Sequence, residues 1–198
     1  MLITMTACGG KNKNGGDEDS RYTTQEELQD EEESEEAGAA DVVYGELGIF
    51  ELRGPVKTCE TTSNGETRHN EFDENGFVTI LNGQRLNKVF PKITRDEQGR
   101  MQHCSYDAYD ETHCEYTFND EGLVVSVIDW PYMDGGTTIT YTYNDKGECT
   151  QIDVQEMGMD AEEPYSVRYT IEERDSHGNW TRRKADSATE TRVISYYE

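Results

Sequence analysis

From Val56 to the C-terminus, apolar and polar residues alternate with the period of two that marks strands buried on one face. Ile139, Tyr141 and Tyr143 fall on one side, with Thr138, Thr140 and Thr142 on the other. Tyr165, Val167, Tyr169 and Ile171 repeat the arrangement against Ser166, Arg168 and Thr170. An aromatic, apolar face backed by a wet one is what an antiparallel sheet packed on one side requires. The pattern predicts about twelve strands in up-and-down order, from 56–62 to 190–197, and hence an all-β fold made of one meandering antiparallel sheet. Residues 123–130 break the alternation, because Val124, Ile128 and Trp130 load the second face as well, so that strand is expected to be buried on both sides. Residues 86–95 are read as a strand whose Pro91 marks an edge or a bulge. Ahead of the strands, 42–52 is a short apolar lead-in, expected as a helical turn packed on the edge of the sheet.

A four-residue unit punctuates the strands five times: Asp73-Glu74-Asn75-Gly76, Asp96-Glu97-Gln98-Gly99, Asn119-Asp120-Glu121-Gly122, Asn144-Asp145-Lys146-Gly147 and Asp175-Ser176-His177-Gly178. Asp or Asn comes first and Gly fourth in every copy. The glycines are 23, 23, 25 and 31 residues apart, a near-fixed period that points to a repeat architecture. Asp or Asn suits the first position because its side chain bonds the backbone two residues on. The fourth position needs a positive φ, which glycine adopts at little cost. Counting outward from each turn, Phe72 should face Phe77, Phe118 should face Leu123, Tyr143 should face Glu148 and Tyr116 should face Val125. Return turns rich in Gly, Asn and Asp lie between the copies, at 64–65, 82–83, 107–110, 134–136, a longer 156–164, and 186–189. The repeated loops lack the alternating ligands and the distal glutamate of a calcium loop, so they are read as structural.

Composition adds an address. With 198 residues and a formal net charge of −24, the chain has room for one domain and a tail, and it repels nucleic acid. Residues 17–41 hold twelve acids against Arg21 alone, too few apolar groups to fold, and read as a solvated tether. At the start, Thr6-Ala7-Cys8 resembles the end of a bacterial lipoprotein signal peptide, whose Cys receives the lipid. The basic leading region is missing and the apolar stretch is short, so the natural start is expected upstream of Met1. The resulting division is a truncated signal at 1–7, an acidic tether at 8–41 lipidated on Cys8, and a hairpin domain at 42–198. Related lipoproteins carry acids soon after the Cys as a surface-export signal, and Asp17-Glu18-Asp19 resembles it loosely. The expectation is an outer-membrane lipoprotein of a Gram-negative bacterium, facing outward.

Tyr141-Thr-Tyr-Asn-Asp-Lys-Gly147 and Tyr116-Thr-Phe-Asn-Asp-Glu-Gly122 resemble the tyrosine–aspartate (YD, or RHS-type) repeat. Asp175-Ser-His-Gly-Asn-Trp-Thr-Arg182 and Leu52-Arg-Gly-Pro-Val-Lys57 resemble small repeat lipoproteins of Bacteroidetes. The resemblance covers residues 50–198 and implies a long antiparallel sheet of hairpin repeats that curls or coils. Arg95 and Arg174 depart from it, standing where the aromatic residue belongs. It brings no catalytic residues.

Three states are open to Cys59, Cys104, Cys114 and Cys149: free core thiols, a disulfide, or a metal site. Export permits a disulfide, and Cys104 and Cys114 flank one return turn, so they could face each other. The pairs His103-Cys104 and His113-Cys114 suggest a metal, but adjacent strand residues point to opposite faces. No nucleophile elbow, phosphate loop or metalloprotease helix is present, and the carboxylates are too many for one pair to stand out. The expectation is a non-catalytic binding or scaffold module without a cofactor, for a protein partner. The alternatives are glycan binding on a face holding Trp130, Tyr132 and Trp180, with Tyr196 and Tyr197 as further stacking groups, and more remotely a hydrolase.

Overall fold

A computed structural model describes residues 45–159, 161–186 and 188–198, so Cys8 and the acidic segment lie outside the described residues. The strands are β1 (Val56–Ser63), β2 (Glu66–Phe72), β3 (Val78–Leu81), β4 (Gln84–Arg85), β5 (Lys92–Arg95), β6 (Met101–Ser105) and β7 (His113–Phe118), followed by β8 (Val124–Tyr132), β9 (Gly135–Tyr143), β10 (Cys149–Gly158), β11 (Tyr165–Arg174), β12 (Trp180–Ala185) and β13 (Ala188–Tyr196). One antiparallel sheet takes them in the order β4-β3-β2-β1-β13-β12-β11-β10-β9-β8-β7-β6-β5 and does not close. Every neighbouring pair is a hairpin except β1–β13, which joins the two ends of the strand region. The stretch read as one strand at 86–95 is instead a helical turn, α1 (Leu86–Val89), followed by the edge strand β5. Pro91 separates them, since it can donate no hydrogen bond to a ladder.

The five repeated turns share one geometry. In each, the main-chain N–H of the Asp or Asn donates to the carbonyl of the residue after the glycine, as in Asp73 to Phe77 at 2.9 Å and Asn144 to Glu148 at 3.0 Å. The Oδ1 of the same Asp or Asn accepts from the backbone two and four residues on; for Asn119 the donors are Glu121 at 3.1 Å and Leu123 at 2.9 Å. All five glycines have positive φ, between 68° and 83°.

This closure corrects the expected cross-strand partners. The Asp or Asn is itself paired, so the residue before it faces the second residue after the glycine: Phe72 faces Val78, Phe118 faces Val124, and Tyr143 faces Cys149. A bulge then skips the third residue after the glycine in every hairpin, which puts Tyr116 opposite Val127. The buried positions are therefore the second and fifth after each glycine: Val78 and Leu81, Met101 and Cys104, Val124 and Val127, Cys149 and Ile152, Trp180 and Arg183. The same bulge explains residues 123–130. Val124 joins the inner face, while Ile128 and Trp130 stay half-buried on the other, so the strand is not buried on both sides.

A sixth hairpin is present with its turn cut open. Gly54 has φ 77°, Val56 and Cys59 stand two and five residues after it and are both buried, and β1 bulges at Lys57 against β13. Tyr197 takes the place of the Asp or Asn, its N–H donating to Pro55 at 2.8 Å. The two ends of the strand region form this unit.

Residues 45–53 tie the six units together. The lead-in does form a turn, the 3₁₀ segment Leu47–Phe50, but it lies in the core and not on an edge: Leu47 and Leu52 are wholly buried. The carboxylate of Glu46, also fully buried, accepts from Val78 N–H on β3 at 2.8 Å and Met101 N–H on β6 at 3.1 Å, and pairs with Arg95. Those strands stand second from opposite ends of the sheet order, so one side chain joins its two flanks. Glu46 N–H donates to Gly76, Gly48 packs on the backbone of Gly122, Arg53 donates to Lys146, and its backbone exchanges two bonds with the Asn179 side chain. Nine residues thus touch three of the repeated turns and the residues that flank the other two. Further along, Glu51 pairs with Arg183, which also bonds Glu190 at 2.6 Å, and accepts from Trp180 Nε1. Arg183 lies between the rings of Tyr169 and Trp180, and Arg192 covers the other side of Trp180. Burial works to lower the Arg183 pKa, but Glu51 and Glu190 outweigh it and hold the guanidinium charged.

Candidate functional site

The up-and-down order sorts the connections. The repeated turns and the open turn between Gly54 and Tyr197 share one end of the sheet, and return turns occupy the other. Among the described residues the second end carries four of the five large exposed apolar side chains: Tyr109 (84% exposed) between β6 and β7, Tyr132 and Met133 (65% and 74%) at the β8–β9 hairpin, and Met159 (98%) between β10 and β11; the fifth, Val193, lies on β13. These connections are neighbours, two strands apart and so about 10 Å from one to the next. Two of them touch. Gly135 and Gly136 pair with Gly158 and Met157, and a Cβ on Gly158 would lie 2.8 Å from the Asp134 carbonyl. A Cβ on Gly136 would meet the Trp130 ring at 2.5 Å, so the indole packs against backbone that only glycine leaves open to it.

Of the aromatic residues expected to form a ligand face, Trp130 is half-buried against Gly136, Tyr132 is exposed beyond a bulge in the same strand, and Trp180 is withdrawn. That indole is 3% exposed on the inner face, fixed by Glu51 and the two arginines. Its position two residues after a repeat glycine was the available signal, and it is one that the bulge makes readable only afterwards. Tyr196 and Tyr197 are likewise engaged: Tyr196 bonds Asp175 and Asn179, and Tyr197 donates to the Phe72 carbonyl at 2.7 Å. The repeat-turn residues Asp73, Gly76, Asp96, Gly99, Asn119, Gly122, Asn144, Gly147, Asp175 and Gly178 serve the turns described above.

Beside Trp130, on the same face, His103 and His113 stack at 5.0 Å. His103 is held between Asp110 at 2.7 Å and Glu115 at 3.2 Å. The bond from Asp110 raises its pKa, burial opposes this in part, and Glu115 adds to the rise. His69 sits in the same way between Glu71 and Glu60. Tyr106 donates to the buried Asp129 at 2.7 Å, and burial raises that carboxyl's pKa. Asp107 closes the 107–112 loop by accepting from the Thr112 hydroxyl and three backbone N–H groups, which draws its pKa down to about 2. Cys104 and Cys114 face each other across β6 and β7 as free thiols, as are Cys59 and Cys149. Burial pushes the Cys104 thiol up to about 12 and Cys114 upward too, so neither is a ready thiolate. Among the described residues, no group of three His, Cys, Asp or Glu side chains is placed to hold a metal ion. A depression of about 200 Å³ on β9–β11 is lined by Thr138, Thr140, Asp153, Gln155, Tyr165 and Ser166. Its single carboxylate, Asp153, is already engaged by Ser166 and Gln151.

No family model matches the chain, and no curated protein matches it in sequence.

Proposed function

We propose that this chain is a non-catalytic binding or scaffold module built of YD/RHS-like hairpin repeats rolled around residues 45–53, carried on a lipid anchor at Cys8 in a Gram-negative outer membrane. Its partner is a protein. The observation that carries this reading is the exposure of Tyr109, Tyr132, Met133 and Met159 on three adjacent connections. Scattered exposed apolar groups are ordinary, but a cluster at one end of a domain marks an interaction surface. Methionines give it the adaptable character of protein-binding surfaces. The two-flank grip of Glu46 supports the rolled sheet, and the six like hairpins support the repeats.

A second reading, a glycan held on Trp130 and Tyr132, is favoured by the packing of the indole against Gly136. Photo-crosslinking from position 132 in intact envelopes separates the two. Discrete protein adducts at 132 and none at position 66 support the module. No adduct, together with retention on a glycan array that Trp130→Ala abolishes, overturns it. The anchor is tested by detergent-phase partitioning and mass of the full precursor beside Cys8→Ala; equal behaviour refutes lipidation.

A further inference from the structure

Resting on that reading, we infer that the protein partner presents a basic segment, with lysine or arginine interspersed among apolar residues, to the connections at 106–112, 132–135, 158–159 and 161–164. These stretches contain no Lys or Arg, in contrast to the repeated-turn end, where Arg53, Arg95, Arg100 and Arg174 are placed. Asp110 is satisfied by His103 and Lys92, and Asp107 by its own loop. Glu111, Asp134, Glu162 and Glu163 are exposed and have no ion-pair partner among the described residues. Four exposed carboxylates without an ion-pair partner among the described residues therefore share these connections with four exposed apolar side chains.

The combination selects among occupants. An anionic lipid surface or an acidic chain would bring like charges together and is disfavoured. A lysine or arginine lowers the local field. Its aliphatic stem packs on Met133 or Met159, and its charge can lie over the ring of Tyr109 or Tyr132. Apolar residues between the cations pack against the exposed side chains of Tyr132, Met133 and Met159. Approach would be speeded by the net charge of −24 and slowed by salt.

The test uses the full chain and immobilised synthetic peptides of constant leucine content whose other positions run from all serine to all lysine. Two variants accompany the parent: Tyr132→Ser/Met133→Ser/Met159→Ser, and Glu111→Gln/Asp134→Asn/Glu162→Gln/Glu163→Gln. All substitutions are on the surface, and circular dichroism melts confirm that each variant folds as the parent does. Lysine-rich peptides should bind the parent and weaken at least roughly fivefold for each variant, with further weakening as salt is raised. Equal binding by parent and variants would place the attraction in acidic residues 17–41 and overturn the inference. Binding that ignores lysine content yet falls in the apolar variant overturns the basic partner and leaves the protein-binding module standing. Retention of no peptide overturns the basic-segment inference, while crosslinking from position 132 still decides the broader reading.

Discussion

Glu46→Gln isolates the side chain that joins the two flanks of the sheet. The carboxylate offers Oε2 to Val78 N–H and Oε1 to Met101 N–H and Arg95. A glutamine of the same shape keeps one oxygen and turns an NH₂ group toward a donor. One of two buried N–H groups then loses its acceptor, at a cost of about 1–3 kcal/mol. The charge on Arg95 loses its partner as well, but Arg95 is about one-third exposed, which limits that loss to about 1 kcal/mol. Together these predict a destabilisation of about 2–4 kcal/mol, or a fall in Tm of roughly 5–15 °C for a domain of this size. Urea melts followed by tryptophan fluorescence would give the free energy, and hydrogen exchange would locate it. Exchange should accelerate in both β3 and β6, strands with no hydrogen-bonded contact to each other. A variant within about 0.5 kcal/mol of the parent, or one whose exchange rises in only one of the two strands, would refute the bridging role.

Gly48→Ala places a Cβ 1.9 Å from the Gly122 carbonyl, where no flexible side chain can yield, and should cost at least about 2 kcal/mol in a denaturant melt. Gly65→Ala meets nothing within 4 Å and should cost only about 1 kcal/mol, the strain of its φ of 81°. Arg183→Met leaves the carboxylates of Glu51 and Glu190 facing each other in the core and should cost about 3–5 kcal/mol; restoring stability with Glu190→Gln in the same chain would confirm the cause. His69 and His103 both have pKa values raised by flanking carboxylates, so the fold favours their protonated forms. Their contribution is whole below the free-histidine value of 6.5 and is lost as pH rises through the higher folded values. Tm should therefore fall as pH rises above about 6.5, and His103→Gln, which removes the group facing Asp110, Glu115 and His113, should flatten that fall.

The turns were legible because Asp or Asn and Gly act within four residues, and local chemistry survives in any context. The register of the strand after each turn was not. A bulge leaves no mark of its own in the alternation of β3, β6 or β8; it shows only as a spacing of three between residues such as Met101 and Cys104, which reads as irregularity until the pairing is known. The cross-strand partners were therefore misjudged, and with them Trp180, whose side chain turned from a ligand face to the core. The sixth hairpin was hidden because its two halves lie at opposite ends of the sequence and Tyr197 replaces the usual Asp or Asn. Residues 45–53 look like an ordinary amphipathic lead-in. Their central place depends on contacts with residues up to 132 positions away, as between Glu51 and Arg183, and no local pattern encodes them. The exposed tips were half visible: Trp130 and Tyr132 stood out as aromatics, while Met133, Met159 and Tyr109 gained their meaning only when three connections were found side by side.

The position of the segment 45–53 also settles how the domain would bear a pull on the chain that precedes it. Were β1 the first element under tension, its bonds to β13 would be taken one pair at a time, and a small force would peel the ladder open. Tension arriving at Gly45 instead reaches Glu46 first, whose backbone and side chain are attached to Gly76, Val78, Met101 and Arg95 at once. Beyond it stand the arginine contacts with Phe50 and Glu51 and the paired bonds of Arg53 with Asn179. These attachments share the load in parallel across both flanks of the sheet, so the domain resists being drawn out by its leading end more firmly than any single strand pair would allow.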